Sequence, residues 1–153
     1  MEKAMNRFLV VLAFLALVAP AVAAKDLVNT DDQGLALEGY DPVAFHTQQA
    51  AVMGDGGITS TFRGASYRFA STEHKTMFDA TPEKYVPVYG GFCAMGVAMG
   101  QLYPVEINTW QLVDGRLIFN KNRDVREMFD ANREANLARA DANWPKLVEA
   151  KGK

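Results

Sequence analysis

The chain has 153 residues but a single cysteine, only two histidines and no long block of like charge. One cysteine excludes an intrachain disulfide framework and a zinc site of the C-x2-C type. The 16 basic residues are outnumbered by 18 acidic ones, for a net charge of −2, so bulk charge gives no basis for nucleic-acid binding. No Ser-His-Asp order and no glycine-rich phosphate loop appears, which leaves most common enzyme classes without support. The acidic residues stand singly or beside bases, the pattern of a solvated surface rather than of a calcium cage. There are no internal repeats and no low-complexity tract.

Long hydrophobic runs are also scarce, with one exception. Lys3 and Arg7 precede the uninterrupted apolar run Phe8 to Ala19, followed by Pro20 and Ala21-Val22-Ala23-Ala24. That run is shorter than the ~20 residues needed to cross a bilayer. Ala21 and Ala23 supply the small side chains of a signal-peptidase site, so residues 1–23 read as a secretory signal peptide. The mature chain is expected to start near Ala24 and to be periplasmic or secreted, with no membrane association after cleavage. What remains is long enough to fold as one domain without disulfides.

Residues 24–38 are polar, without sustained periodicity, and read as an extended lead-in. Gly39-Tyr40-Asp41-Pro42 is a turn signal, because Pro42 presets its own φ and biases Asp41 towards extended geometry. Residues 47–58, with Gly54, Gly56 and Gly57, read as a flexible excursion. The runs Thr61-Phe62-Arg63 and Tyr67-Arg68-Phe69 flank Gly64-Ala65 and predict a hairpin, with Tyr67 and Phe69 on one face. Ser71 suits the N-cap of a helix that turns Met77 and Phe78 inward and ends before Pro82. Asp114-Gly115 predicts a second hairpin from Trp110 to Asn120. Helix formers run from about Arg123 to Asn143, with a break or kink expected at Pro145. The predicted fold is α+β: small antiparallel hairpins packed with short helices and a long C-terminal helix, over residues 39–147, with 148–153 as a tail.

The side chains with strong donor chemistry are His46, His74 and Cys93. Cys93 follows the diglycine Gly90-Gly91 and opens a short apolar segment that reads as a helix. In its first turn, unpaired amides and the positive end of the helix dipole would favour the thiolate that metal binding and nucleophilic attack both require. The competing reading is a buried thiol acting as a small apolar side chain. Met95 and Met99 share a helix face about 200° from Cys93 and read as core packing rather than thioether ligands. His74, four before Phe78, faces either the core or a site, and His46 reads as solvent-facing at a loop edge.

Six stretches together carry a family likeness. Gly39 to Phe45, Phe62 to His74, and Pro82-Glu83-Lys84-Tyr85, continued by Tyr89 to Ala94, Trp110 to Asn120 and Ala140 to Pro145, resemble the YHS domain family in its exported, single-domain branch, over roughly residues 35–147. The resemblance implies heavy-metal handling, since related domains accompany copper-transporting ATPases and carry cysteines in an F-C-S-x-x-C pattern. This chain departs from that pattern: Ala70 and His74 stand at the two cysteine positions, and Ala44 follows Asp-Pro-Val where a cysteine is frequent. The leading expectation is a soft-metal site for copper formed by Cys93 and His74. The alternative is a metal-free module in which a groove around Gly90-Gly91 and Tyr40-Asp41 binds a small ligand or a protein. A third reading makes Cys93 a nucleophile and His74 its base, which requires the two within hydrogen-bond reach.

Overall fold

A computed structural model describes residues 23–153, so the expected signal peptide lies outside the described residues except for Ala23. The fold is α+β, built from two separate two-stranded antiparallel sheets, four short helices and a C-terminal helical pair. Among the described residues no helix is long and apolar enough to cross a membrane.

The turn expected at residues 39–42 becomes the start of helix α1 (Pro42–Thr47). Asp41 is its N-cap, accepting the amides of Val43 and Ala44, and Pro42 fits the first helical position because it has no N–H to leave unpaired. Strand β1 (Asp55–Phe62) then pairs with β2 (Ala65–Phe69). The glycine-rich excursion is therefore shorter than the sequence suggests, since residues 55–58 belong to β1, which bulges between Asp55 and Thr59. The hairpin turn holds Arg63 and Gly64 at φ +50° and +74°, the left-handed pair that matches strand twist in two-residue loops. Ser71 caps α2 (Thr72–Ala80), as its position predicts, and α3 (Pro82–Tyr85) follows after Thr81. Phe78 of α2 packs its ring against Phe62, Tyr67 and Phe69, so the hairpin face predicted from Tyr67 and Phe69 is the face the helix covers.

Helix α4 (Ala94–Ala98) begins after Cys93. Strands β3 (Gln111–Val113) and β4 (Arg116–Ile118) turn through Asp114-Gly115 as expected. The C-terminal stretch is two helices, α5 (Arg123–Ala131) and α6 (Arg133–Lys151), separated at Asn132. The expected break at Pro145 does not occur, and α6 runs through it. Pro145 forfeits one helical hydrogen bond, but its neighbours clamp the helix on the domain. Asp141 binds Arg116 and Tyr89, and Asn143 donates to the carbonyls of Val97 and Ala98 at the end of α4. Trp144 packs on Tyr89 and Phe92.

Residues 148–151, expected in a tail, are the last turn of α6, and Lys153 exchanges two backbone hydrogen bonds with Asp26 of the lead-in. The lead-in is thus a strap. Asn29 bonds the Gly90 carbonyl through its amide and the Gly91 carbonyl through its side chain, while the Leu27 carbonyl passes so close to Gly90 that no Cβ fits there. Gly90 is required by that approach as well as by its φ of +60°.

Candidate functional site

His74 and Cys93, the two residues singled out from the sequence, sit at different buried junctions. His74 lies in the first turn of α2, where its amide donates to the capping Ser71 hydroxyl and its ring is 8% exposed by residue area. Its Nδ1 lies 2.6 Å from Oδ2 of Asp41, which is fully buried. Asp41 Oδ2 also accepts the Ala70 amide at 2.8 Å, and Oδ1 accepts the amides of Val43 and Ala44 at 2.8 and 3.3 Å. The three amides all donate to the carboxylate, an acceptor set that suits an N–H at Nδ1, and the ring directs Nε2 away from Asp41. One carboxylate therefore joins the start of α1, the end of β2 and the first turn of α2.

Cys93 is 1% exposed and stands at the N-cap of α4, one position earlier than the first-turn placement expected. Its Sγ accepts the Gly96 amide at 3.4 Å, and its thiol donates to Oδ1 of Asn120 at 3.7 Å. The same Oδ1 accepts the Met95 amide at 3.2 Å, which fixes the orientation of the Asn120 side chain. Asn120 is itself fully buried, exchanges hydrogen bonds with Thr109, and leaves its Nδ2 without a partner among the described residues.

The two junctions share no hydrogen-bond partner among the described residues. Cys93 pairs its backbone with Phe119, the Phe119 ring packs on Phe45 of α1, and α1 is capped by the Asp41 that holds His74. Among the described residues no hydrogen bond joins Cys93 to His74, so the nucleophile and base contact of the thiol-enzyme reading is not formed. The two donors named for a copper site are each hydrogen-bonded to other partners, His74 to Asp41 and Cys93 to Asn120. Among the described residues no three histidine, cysteine or acidic side chains gather where they would hold an ion.

The remaining candidates differ from expectation in instructive ways. His46 is half-buried rather than solvent-facing: it sets its ring edge-on to Tyr85, 5.4 Å between centroids, and its Nε2 is buried with no partner among the described residues. Burial chiefly, with a smaller contribution from Lys84, holds its pKa below the usual 6.5, against an opposing hydrogen bond from the ring to the Tyr85 backbone carbonyl. Ser60, Lys75 and Asp79 form a surface triad, with Lys75 Nζ 2.9 Å from Ser60 Oγ and 2.5 Å from Asp79 Oδ2. The hydrogen bonds from Lys75 and Ser60 hold the Asp79 carboxyl below its ordinary range. These hydrogen bonds tie α2 to β1.

A cleft of about 200 Å³ opens over Gly91, between the lead-in and residues 104–107. Leu35, Leu37, Val105 and Ile107 form apolar walls, with Asp31 and Glu38 at the cleft. Leu37, Glu38 and Gly39 run consecutively at φ +54°, +54° and +86°. The groove suggested around Gly90-Gly91 is present in part: Gly91 lines this cleft and Gly90 a neighbouring one of about 280 Å³, but Asp41 is fully buried and lines neither. Asp41 and Asn120 are the structural residues that sequence reading undervalued. Asp41 had a signal in the Asp-Pro pair that opens many helices, whereas nothing local marks Asn120 as the partner of Cys93. No family model, curated protein or solved structure matches the chain.

Proposed function

We propose that the chain is an exported module of YHS type that binds a small, mainly apolar ligand in the cleft over Gly91, without a metal ion. The observation that carries this reading is the left-handed run Leu37-Glu38-Gly39, whose first two residues line the cleft. Non-glycine residues in that region cost about 1–3 kcal/mol each and persist where the surroundings hold them, commonly at ligand clamps. Here the buried Leu37 side chain anchors the run, which leaves Glu38 exposed beside the apolar walls. One oxygen of Asp31 is occupied by the amides of Gln33 and Leu35, so its other oxygen and Glu38 remain as acceptors. A ligand with an apolar body and an ammonium or N–H group matches that lining.

Benzylamine is a suitable probe. In the reduced mature protein it should give saturable NMR shifts of the Glu38 and Gly91 amides, and Val105→Trp, which fills the cleft, should abolish them. Shifts scattered over the surface, or undiminished in that variant, would overturn the assignment.

A second reading, copper binding, has its own support. Asp41 fixes the His74 tautomer in the way that carboxylates orient metal-ligating imidazoles, and the YHS resemblance supplies the metal class. It requires Cys93, the softer donor, to leave Asn120 and Gly96 and join His74. On that reading, Cys93→Ser weakens copper binding strongly and His74→Ala weakens it less.

A further inference from the structure

The two edges of the second sheet are treated differently. Val113 and Arg116 flank the two-residue turn and form a hydrogen-bonded pair, so in the next pair, Leu112 and Leu117, the peptide groups point away from the sheet. On the β4 side that outward edge is occupied, because the Val88 amide donates to the Leu117 carbonyl and the Ala94 amide to the Phe119 carbonyl. On the β3 side Leu112 has no backbone partner among the described residues, and a cleft of about 400 Å³ runs along it, lined by Trp110, Gln111, Leu112, Val113, Arg126 and Arg133.

The cleft is polarised by one carboxylate set behind it. Asp130 accepts both contacts of Gln111 Nε2, at 3.0 and 2.9 Å, and Nε of Arg133 at 3.0 Å, with Arg133 Nη2 at 2.9 Å and Arg126 Nε at 3.7 Å as ion-pair contacts. Arg126 Nη1 also donates to the Trp110 carbonyl at 3.5 Å. These contacts leave Nη1 of Arg133 and Nη2 of Arg126 unspent, so two guanidinium groups anchored by one acid line the cleft. Gln111 is 7% exposed, and its Oε1 has no partner among the described residues. An unpaired buried acceptor, an unpaired strand edge and two held arginines call for a ligand that is both a hydrogen-bonding chain and an anion.

We propose that this cleft binds an extended peptide ending in a free carboxylate, with its last residues pairing with Leu112 and its carboxylate lying against Arg126 and Arg133. Strand addition at an open edge supplies the main-chain hydrogen bonds, and the arginine pair selects the chain end. The lining does not overlap that of the cleft over Gly91, so the proposal stands apart from the ligand site assigned there.

The test is NMR titration of the mature protein with N-acetyl-trialanine as the free acid and as the C-terminal amide. The acid should give saturable shifts at the Leu112 amide, the Trp110 indole and the Gln111 side-chain amide. Loss of the charge should weaken binding about tenfold, as removal of a charge-assisted hydrogen bond does. Arg126→Gln should weaken the acid by about the same factor, whereas Arg123→Gln on the same helix, outside the cleft, should leave it unchanged. Equal binding of acid and amide, non-saturating shifts, or shifts away from β3 would overturn the proposal.

Discussion

The junctions around Asp41 and Asn120 hold the residues that the sequence offers for chemistry, and they are built differently. At the first, a fully buried carboxylate meets three backbone amides and an imidazole, all of them donors, and ties three secondary-structure elements together. At the second, a fully buried amide side chain accepts from a thiol and a backbone amide but leaves its own Nδ2 unpaired. Removing a buried acceptor that satisfies several donors costs more than removing one whose own amide group is already unpaired. The imidazole and the thiol thus stand at separate junctions, each hydrogen-bonded to its own polar partner.

The largest effect should come from Asp41→Ala. It strips the cap from α1 and leaves the Ala70 amide and the His74 ring without their acceptor, for an expected loss of about 3 kcal/mol or more in urea unfolding. A loss under about 1 kcal/mol would erase the distinction between the junctions. Asn120→Ala should cost less, about 1–2 kcal/mol, because the orphaned Met95 amide is partly offset by removal of the unpaired Nδ2. Cys93→Ser should cost under about 1 kcal/mol, since serine is a favoured N-cap and its hydroxyl can take over the Gly96 amide. In the native state Cys93 should resist alkylation until unfolding, as expected of a thiol 1% exposed.

These rankings follow from features of unequal legibility in the sequence. Both hairpin turns, the Ser71 cap and the inward Phe78 were readable because each rests on a local pattern of a few residues. Helix α1 was hidden by the same Asp-Pro pair that marks it, since that pair also signals a turn, and the choice is made by amides and an imidazole far apart in sequence. The continuity of α6 through Pro145 depends on anchors at Asp141, Asn143 and Trp144, whose partners lie in α4, β4 and the preceding loop. At the candidate site, residue chemistry picked out His74 and Cys93, but only tertiary structure shows that each is hydrogen-bonded to a different polar partner. The half-burial of His46 was equally invisible, because Tyr85 covers it from another helix.

The smallest effect concerns pH. Burial lowers the His46 pKa on folding, so the unfolded chain binds its proton more readily, and stability from this residue is complete above about 6.5 and falls as pH drops through that range. Asp79, held down by Lys75 and Ser60, adds a separate loss only as pH falls below the ordinary carboxylate range. His46→Gln should therefore flatten the stability profile between neutral pH and about 5, measured by urea midpoints, and an unchanged slope would assign the loss elsewhere.

The central claim, that Cys93 and His74 serve separate junctions rather than one copper site, is tested most directly by competition for monovalent copper. The reduced mature protein, Cys93→Ser and His74→Ala are each titrated against the same chelator. If the claim holds, the three proteins compete equally. Strong competition by the wild type that is largely lost in Cys93→Ser and partly lost in His74→Ala would contradict it and establish the shared metal site.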